Sequence, residues 1–215
     1  MKKPPRRLVI PLALGVLAAL LWDTFVAYPF RLFVVFLHEI SHGLAAVLTG
    51  GRIVAIGLNF AEGGVCVTQG GSRFLVLNAG YLGSLLWGAT FLVLGERRRR
   101  ARSVIGAIGA FTLVATLVYV RTLFGVIYGS LTAVALLLVA ARTKPVVSEV
   151  LLATLGVMSC LYAVWDVASD VLLRSHPDSD AQALAALTGI PAVLWGAVWV
   201  VGSLWVIVAV LRRLA

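Results

Sequence analysis

Within the stretch FLHEISHGLAAVLTGG, residues 36–51, His38, Glu39 and His42 fall inside five consecutive positions of an otherwise apolar segment. Residues four apart on an α-helix share a face, so His38 and His42 can hold one ion together, with Glu39 beside them. His-Glu-x-x-His is the pattern in which zinc hydrolases use two imidazoles as ligands and the carboxylate as general base. Zinc lowers the pKa of a bound water to about 7, and a nearby carboxylate can take the proton as attack begins. The alternative is a pair of histidines hydrogen-bonded inside a helical bundle, with Glu39 as their partner. Central charges in a membrane span cost at least about 2.5 kcal/mol, and two of the three histidines in the chain fall into this spacing. The pattern therefore points to metal chemistry, with one Zn2+ ion as the expected cofactor.

The elements that must carry these residues are set by hydropathy. Of 215 residues, 61% are hydrophobic and 13% charged, with a mean hydropathy of +1.02. A soluble domain carries about a quarter charged residues. Seven apolar segments are read, Leu8–Leu21, Phe25–Leu48, Arg73–Leu94, Ser103–Val120, Leu123–Ala141, Val146–Leu173 and Gly189–Leu211. A crossing needs roughly 20 residues, so the first, interrupted by Pro11, is short. The basic start and apolar core of MKKPPRRLVIPLALGVLAALLW resemble a signal peptide, but no small-x-small cleavage site follows, which predicts a retained span. The predicted fold is an all-α polytopic membrane protein of six to seven helices, residues 1–215 forming one domain.

Between the second and third segments, GRIVAIGLNFAEGGVCVTQGG is rich in glycine and β-branched residues. Ile56, Leu58 and Phe60 alternate, AEGG supplies turn chemistry, and Val65 and Val67 alternate again. This predicts a β-hairpin at or dipping into the membrane surface, an ordinary loop being the alternative. Cys66 and Cys160 show no metal spacing and imply neither a disulfide framework nor a thiolate site.

The net charge of +9 comes from runs flanking the apolar segments, as at an anionic membrane surface. The run Arg97–Arg100 lacks interleaved aromatics, so no nucleic-acid partner is expected. Seven alternating crossings would put Lys2, Lys3, Arg6, Arg7, Arg52, Arg73, Arg121 and Arg174 on one face. The other face would collect Arg97–Arg100, Arg102, Arg142, Lys144, Arg212 and Arg213, with Arg31 unassigned. So even a division orients nothing, which leaves either a re-entrant segment or a topology set by something other than charge.

A catalytic zinc site needs a third protein ligand and an open position. His38 and His42 lie roughly 12 Å below the end of their segment at 1.5 Å per residue. Under seven crossings the sixth segment returns to that face and puts Asp166 roughly 10 Å deep. Asp166 is the favoured third ligand, and Asp170, one turn on, the second choice. Asp178 or Asp180 is read as capping the short helical pattern that follows, and His176 as a surface residue. Asn78 stands among small residues, where it either bonds across a close helix interface or orients a substrate carbonyl or oxyanion.

FLHEISHGLAAVLTGG on a spanning helix, followed by a glycine-rich β-like segment and the small-residue stretch NAGYLGS, resembles the site-2 protease family of intramembrane zinc metalloproteases, in its compact branch without a PDZ domain. The resemblance is strongest over residues 25–88 and looser over 146–211. It implies His38 and His42 as zinc ligands, Glu39 as general base, and a membrane-associated sheet whose edge holds the substrate as an added strand. Tyr81 stands where that family usually has proline, and its Leu-Asp-Gly stretch is missing here. Asn78 and Tyr81 are then candidate substrate-binding or oxyanion groups. The expected partner is a membrane protein with a transmembrane segment, the expected location a bacterial cytoplasmic membrane. The alternative is a non-catalytic membrane protein, either a degenerate homologue of such a protease or a metal-binding transporter.

Overall fold

Backbone in lipid must satisfy its own hydrogen bonds, which favours long helices and forbids bare sheet edges against acyl chains. The computed structural model describes residues 6–96, 98–168 and 179–215. They form α1 (Arg6–Leu20), α2 (Tyr28–Leu48), β1 (Arg52–Leu58), β2 (Gly64–Gln69), α3 (Arg73–Leu94), α4 (Arg98–Tyr119), α5 (Leu123–Arg142), α6 (Pro145–Val167), α7 (Asp180–Thr188) and α8 (Ala192–Leu214). Six of these helices, α2 to α6 and α8, are long and apolar enough to cross a membrane, whereas α1 offers only the shorter stretch Leu8–Leu20. The chain is thus a multi-pass integral membrane protein with a small antiparallel sheet.

The central helix is α2. In its most hydrophobic window 72% of residues are buried, against 22% in α5 and α8. Phe33, Phe36, Leu37 and Ile40 of α2 join Phe91 of α3 and Leu152 and Leu155 of α6 in one core. Pro29 starts α2, where a missing N–H costs nothing. The helix stops at Gly50, whose φ of 87° is left-handed, and Gly51 N–H donates back to the Ala46 carbonyl at 2.7 Å.

Helix directions follow from which residues meet. α3 runs antiparallel to α6: Gly88 lies against Gly156 and Cys160, and Gly95 near Leu152, while Leu77 and Tyr81 pack with Val167. α1 runs the same way as α6, since Ile10 and Pro11 neighbour Glu149 and Ala153, Gly15 neighbours Val157, and Trp22 meets Trp165 at 6.4 Å. Ser72 N–H donates to Thr49 Oγ1 at 2.9 Å, so α2 ends where α3 begins. The short α1 and α2 therefore make one crossing between them. This corrects the expected alternation of seven crossings: Arg6 and Arg7 lie at the end that carries Arg98–Arg102, away from Arg52, Arg73 and Arg121. The reason is length, because 15 residues at 1.5 Å rise fall short of a ~30 Å hydrocarbon layer.

The expected hairpin is present. β1 pairs antiparallel with β2, Ile56 opposite Cys66 and Leu58 opposite Gly64, with Phe60 in the turn rather than the strand. The far edge of β1 is covered by the α4–α5 connection. Arg121 N–H donates to the Ile56 carbonyl at 3.0 Å, and Thr122 Oγ1 donates to the Leu58 carbonyl at 2.8 Å. The tip is clamped to the start of α2. Tyr28 Oη donates to the Phe60 carbonyl at 2.9 Å, and Arg31 pairs with Glu62 at 2.6 Å. Glu62 itself adopts a left-handed φ of 61°, a strained conformation for a residue with a side chain.

The α3–α6 approach is testable. A Cβ on Gly88 would meet Cys160 Sγ at 2.6 Å and the Gly156 carbonyl at 2.8 Å. Gly88→Val is expected to cost about 1–3 kcal/mol, read as a lower thermal midpoint in detergent. Gly202→Ala, with nothing within 4 Å, is expected not to lower it.

Candidate metal centre

The α2 periodicity turns Arg31, Val35, His38, Glu39 and His42 toward a cavity of about 710 Å3. Glu39 and His42 are buried. α3 closes the site from one side. His42 Nδ1 donates to the Val76 carbonyl at 2.7 Å; a carbonyl only accepts, so Nδ1 carries a proton and Nε2 is the nitrogen that faces the site. Gly80 makes the approach possible, because a Cβ there would collide with His38 Nε2 and lie 2.6 Å from His42 Nε2.

The third group comes from α7. Asp180 Oδ2 lies 3.2 Å from His38 Nε2 and 3.1 Å from His42 Nε2. These three ligand atoms lie within 4.8 Å of one another, the cluster suited to a metal among the described residues. A lone pair of His42 and a carboxylate oxygen at 3.1 Å repel each other unless a proton or a metal ion lies between them. Two imidazoles and one carboxylate with space on the cavity side are also a donor set that suits zinc and leaves a position open. The residues present therefore fit a divalent metal. Burial alone would raise the Asp180 carboxyl, but hydrogen bonds from His38 and His42 and their charge hold it well below the usual carboxylate range.

Asp180 is not the helix cap that the sequence suggested. Ser179 takes that role, its Oγ accepting from Gln182 N–H at 3.3 Å, which leaves Asp180 as the first residue of α7 with its side chain free for the histidines. The signal was in the sequence: Ser-Asp-Ala-Gln is a capping-box pattern that assigns the cap to the serine. Ala181 and Leu184 dock α7 against Leu77, Tyr81, Val167 and Trp199.

Asp166 stands in the last turn of α6, and its side chain lies outside the described residues, as do Asp170, His176 and Asp178. Tyr81 lines the cavity, its ring edge-on to His38 at 5.0 Å and packed against Trp199 at 4.8 Å. Asn78 faces α8 instead. It accepts from Trp199 Nε1 at 2.9 Å and donates to the Phe74 carbonyl at 2.9 Å, the interface bond that the small-residue stretch suggested.

β2 passes over Glu39. A Cβ on Gly64 would collide with Glu39 Oε1 and lie 2.8 Å from Cδ, so glycine there admits the carboxylate beneath the strand. Cys66 also lines the cavity. Burial, reinforced by the Glu39 charge, pushes its thiol up to about 12. In the two-stranded sheet the outer edge of β2 has no strand partner among the described residues, and Gly64, Val65 and Cys66 line the same cavity as the histidines.

A family model described as Peptidase M50B-like matches residues 12–210, taking in α2, the hairpin, α7 and every member of the cluster. The chain belongs to this family, the site-2 protease family. No curated protein and no solved structure matches.

The tight α2–α3 contact carries a prediction. Gly80→Ala is expected to weaken divalent-metal binding at least about tenfold, because the methyl group takes the space in front of both Nε2 atoms. Titration of the purified metal-free protein with zinc measures this. Unchanged affinity would mean that α3 is free to shift away.

Proposed function

We propose that the protein is an intramembrane zinc metalloendopeptidase that hydrolyses peptide bonds in or near transmembrane segments of other membrane proteins. The observation that carries this reading is the approach of a single Asp180 oxygen to both His38 Nε2 and His42 Nε2, at 3.2 and 3.1 Å, beside Glu39. His38, His42 and Asp180 would hold the ion. Zinc bound there supplies a Lewis acid and lowers the pKa of bound water to about 7.

The remaining work falls to the chain itself. Glu39, pressed beneath Gly64, accepts the proton of the attacking water and passes it to the leaving amine. The open edge of β2 binds a stretch of substrate as an added strand, which exposes peptide carbonyls that a transmembrane helix hides in its own hydrogen bonds. Tyr81, lining the cavity against His38, is suited to donate to the oxyanion that forms on the cleaved carbonyl. Asn78 supports this from behind through Trp199. The apolar walls of α2, α3 and α6 keep bulk water away, while Arg31, Asp23 and Glu62 make a polar path at the rim.

Two measurements test the assignment. Asp180→Asn is expected to lose stoichiometric zinc while Asp166→Asn keeps it; the opposite result would return Asp166 to the ligand set. Glu39→Gln is expected to retain zinc and to cut a co-expressed single-span reporter about 10²–10⁴-fold more slowly than the unmodified chain. Equal cleavage by Glu39→Gln would remove it as the base.

A further inference from the structure

The arginines around the hairpin are engaged, with one exception. Arg31 pairs with Glu62 at 2.6 Å and with Asp23 at 3.7 Å, its guanidinium 5.9 Å from the Trp22 ring. Arg52 Nε donates to Gln69 Oε1 at 2.9 Å, and Arg121 Nη1 to the Val120 carbonyl at 3.0 Å. Arg73, the first residue of α3, is exposed and lines the same cavity as the histidines. Among the described residues no ion pair includes its guanidinium, and the first turn of α3 contains no acid.

The cavity runs along β2. Gly64 lies over Glu39, Cys66 stands beside Gly43, and Gly71 lies against Ala46 and Thr49. β2 therefore follows α2 from the candidate metal centre toward the end of α2. α3 comes back the other way. Arg73 precedes by three residues Val76, whose carbonyl holds His42, which is about 4.5 Å along the helix axis. On this stretch Cys66 and Thr68 are the half-buried residues of β2 that line the cavity. In the other direction, toward the start of α2, the walls are Trp22, Trp165 and the cluster of Asp23, Arg31 and Glu62. The two ends thus differ in charge: two carboxylates share one arginine at the first, and Arg73 stands without a described acid at the second.

We propose that Arg73 determines specificity by receiving the carboxylate of an acidic side chain in the polypeptide laid along β2. The inference rests on the peptidase reading and names a substrate class for it: membrane proteins with an acidic residue beside the cleaved segment. A guanidinium stays charged and takes a carboxylate through two parallel hydrogen bonds. Thr68 is four residues from Gly64, roughly 13 Å in an extended strand. A strand added to β2 with its cleaved bond beside Glu39 therefore carries the acid about four positions away, on the side toward Thr68. An acid at the same spacing on the other side meets Asp23 and Glu62, and like charges there reject it.

The test uses the zinc-loaded full chain in a zwitterionic detergent, with single-span reporters whose cut is mapped by mass spectrometry. Each reporter carries Glu or Gln about four residues to one side of the cleaved bond or the other. The unmodified chain is expected to cut the Glu reporter with kcat/KM about three- to tenfold above its Gln counterpart, on one side only. Arg73→Gln is expected to bring that ratio to within about twofold of one. Arg73→Glu is expected to favour Lys at the same position, a reversal that a merely structural role does not produce. No preference on either side in the unmodified chain would overturn the proposal. Equal losses on Glu and Gln reporters in Arg73→Gln would also overturn it and make Arg73 a lipid or folding contact. Binding of the same peptides, fluorescently labelled, to the Glu39→Gln chain separates this site from the parent reading. Arg73-dependent preference for the Glu peptide, without cleavage by the unmodified chain, would count against the peptidase reading and leave the Arg73 site standing. Equal binding of the Glu and Gln peptides would overturn the site itself.

Discussion

Three electron-rich atoms meet in a mostly apolar interior, and the rest of the structure is arranged around that meeting. His38 Nε2, His42 Nε2 and Asp180 Oδ2 crowd within 4.8 Å of one another, and the Val76 carbonyl fixes the His42 proton on the far nitrogen. Such a group needs a proton or a metal ion among its members, because burial amplifies repulsion as it amplifies attraction. Each element touching the site makes room for it. α3 supplies glycine at residue 80, β2 supplies glycine at residue 64 above Glu39, and α7 is capped by Ser179 so that Asp180 is free.

The hairpin meets a second constraint, that of strand backbone within a membrane domain. β1 gives its far edge to Val120, Arg121 and Thr122 at the α4–α5 connection. The tip is fastened to α2 by Tyr28 and Arg31. The edge left over is that of β2, and it borders the polar cavity where water or a peptide satisfies its N–H and C=O groups. The open backbone edge and the candidate metal centre thus share one space.

Much of this was legible in the residues. The six long helices follow from hydropathy, since lipid tolerates little else. The pairing of His38 with His42 follows from the helical period, and the hairpin from alternation around AEGG. The close α3 packing follows from its small residues, and Asn78 proved to be their bond to α8. What was missed had a common cause. Counting depth along separate segments favoured Asp166, whose side chain lies outside the described residues, and passed over the connection from which α7 reaches the histidines. The same counting treated α1 as a full crossing and so divided the arginines evenly.

The sequence by itself determined the class of protein and the helical positions of His38, Glu39 and His42. These depend on hydropathy and on a local period of 3.6 residues, both written in consecutive positions. The tertiary structure decided that Asp180 joins the histidines across 142 positions of chain, that β2 keeps the open edge, and that Arg6 and Arg7 share an end with Arg98–Arg102. Those outcomes depend on which helices lie side by side and in which direction they run, and long-range packing is not encoded in any short stretch of the chain.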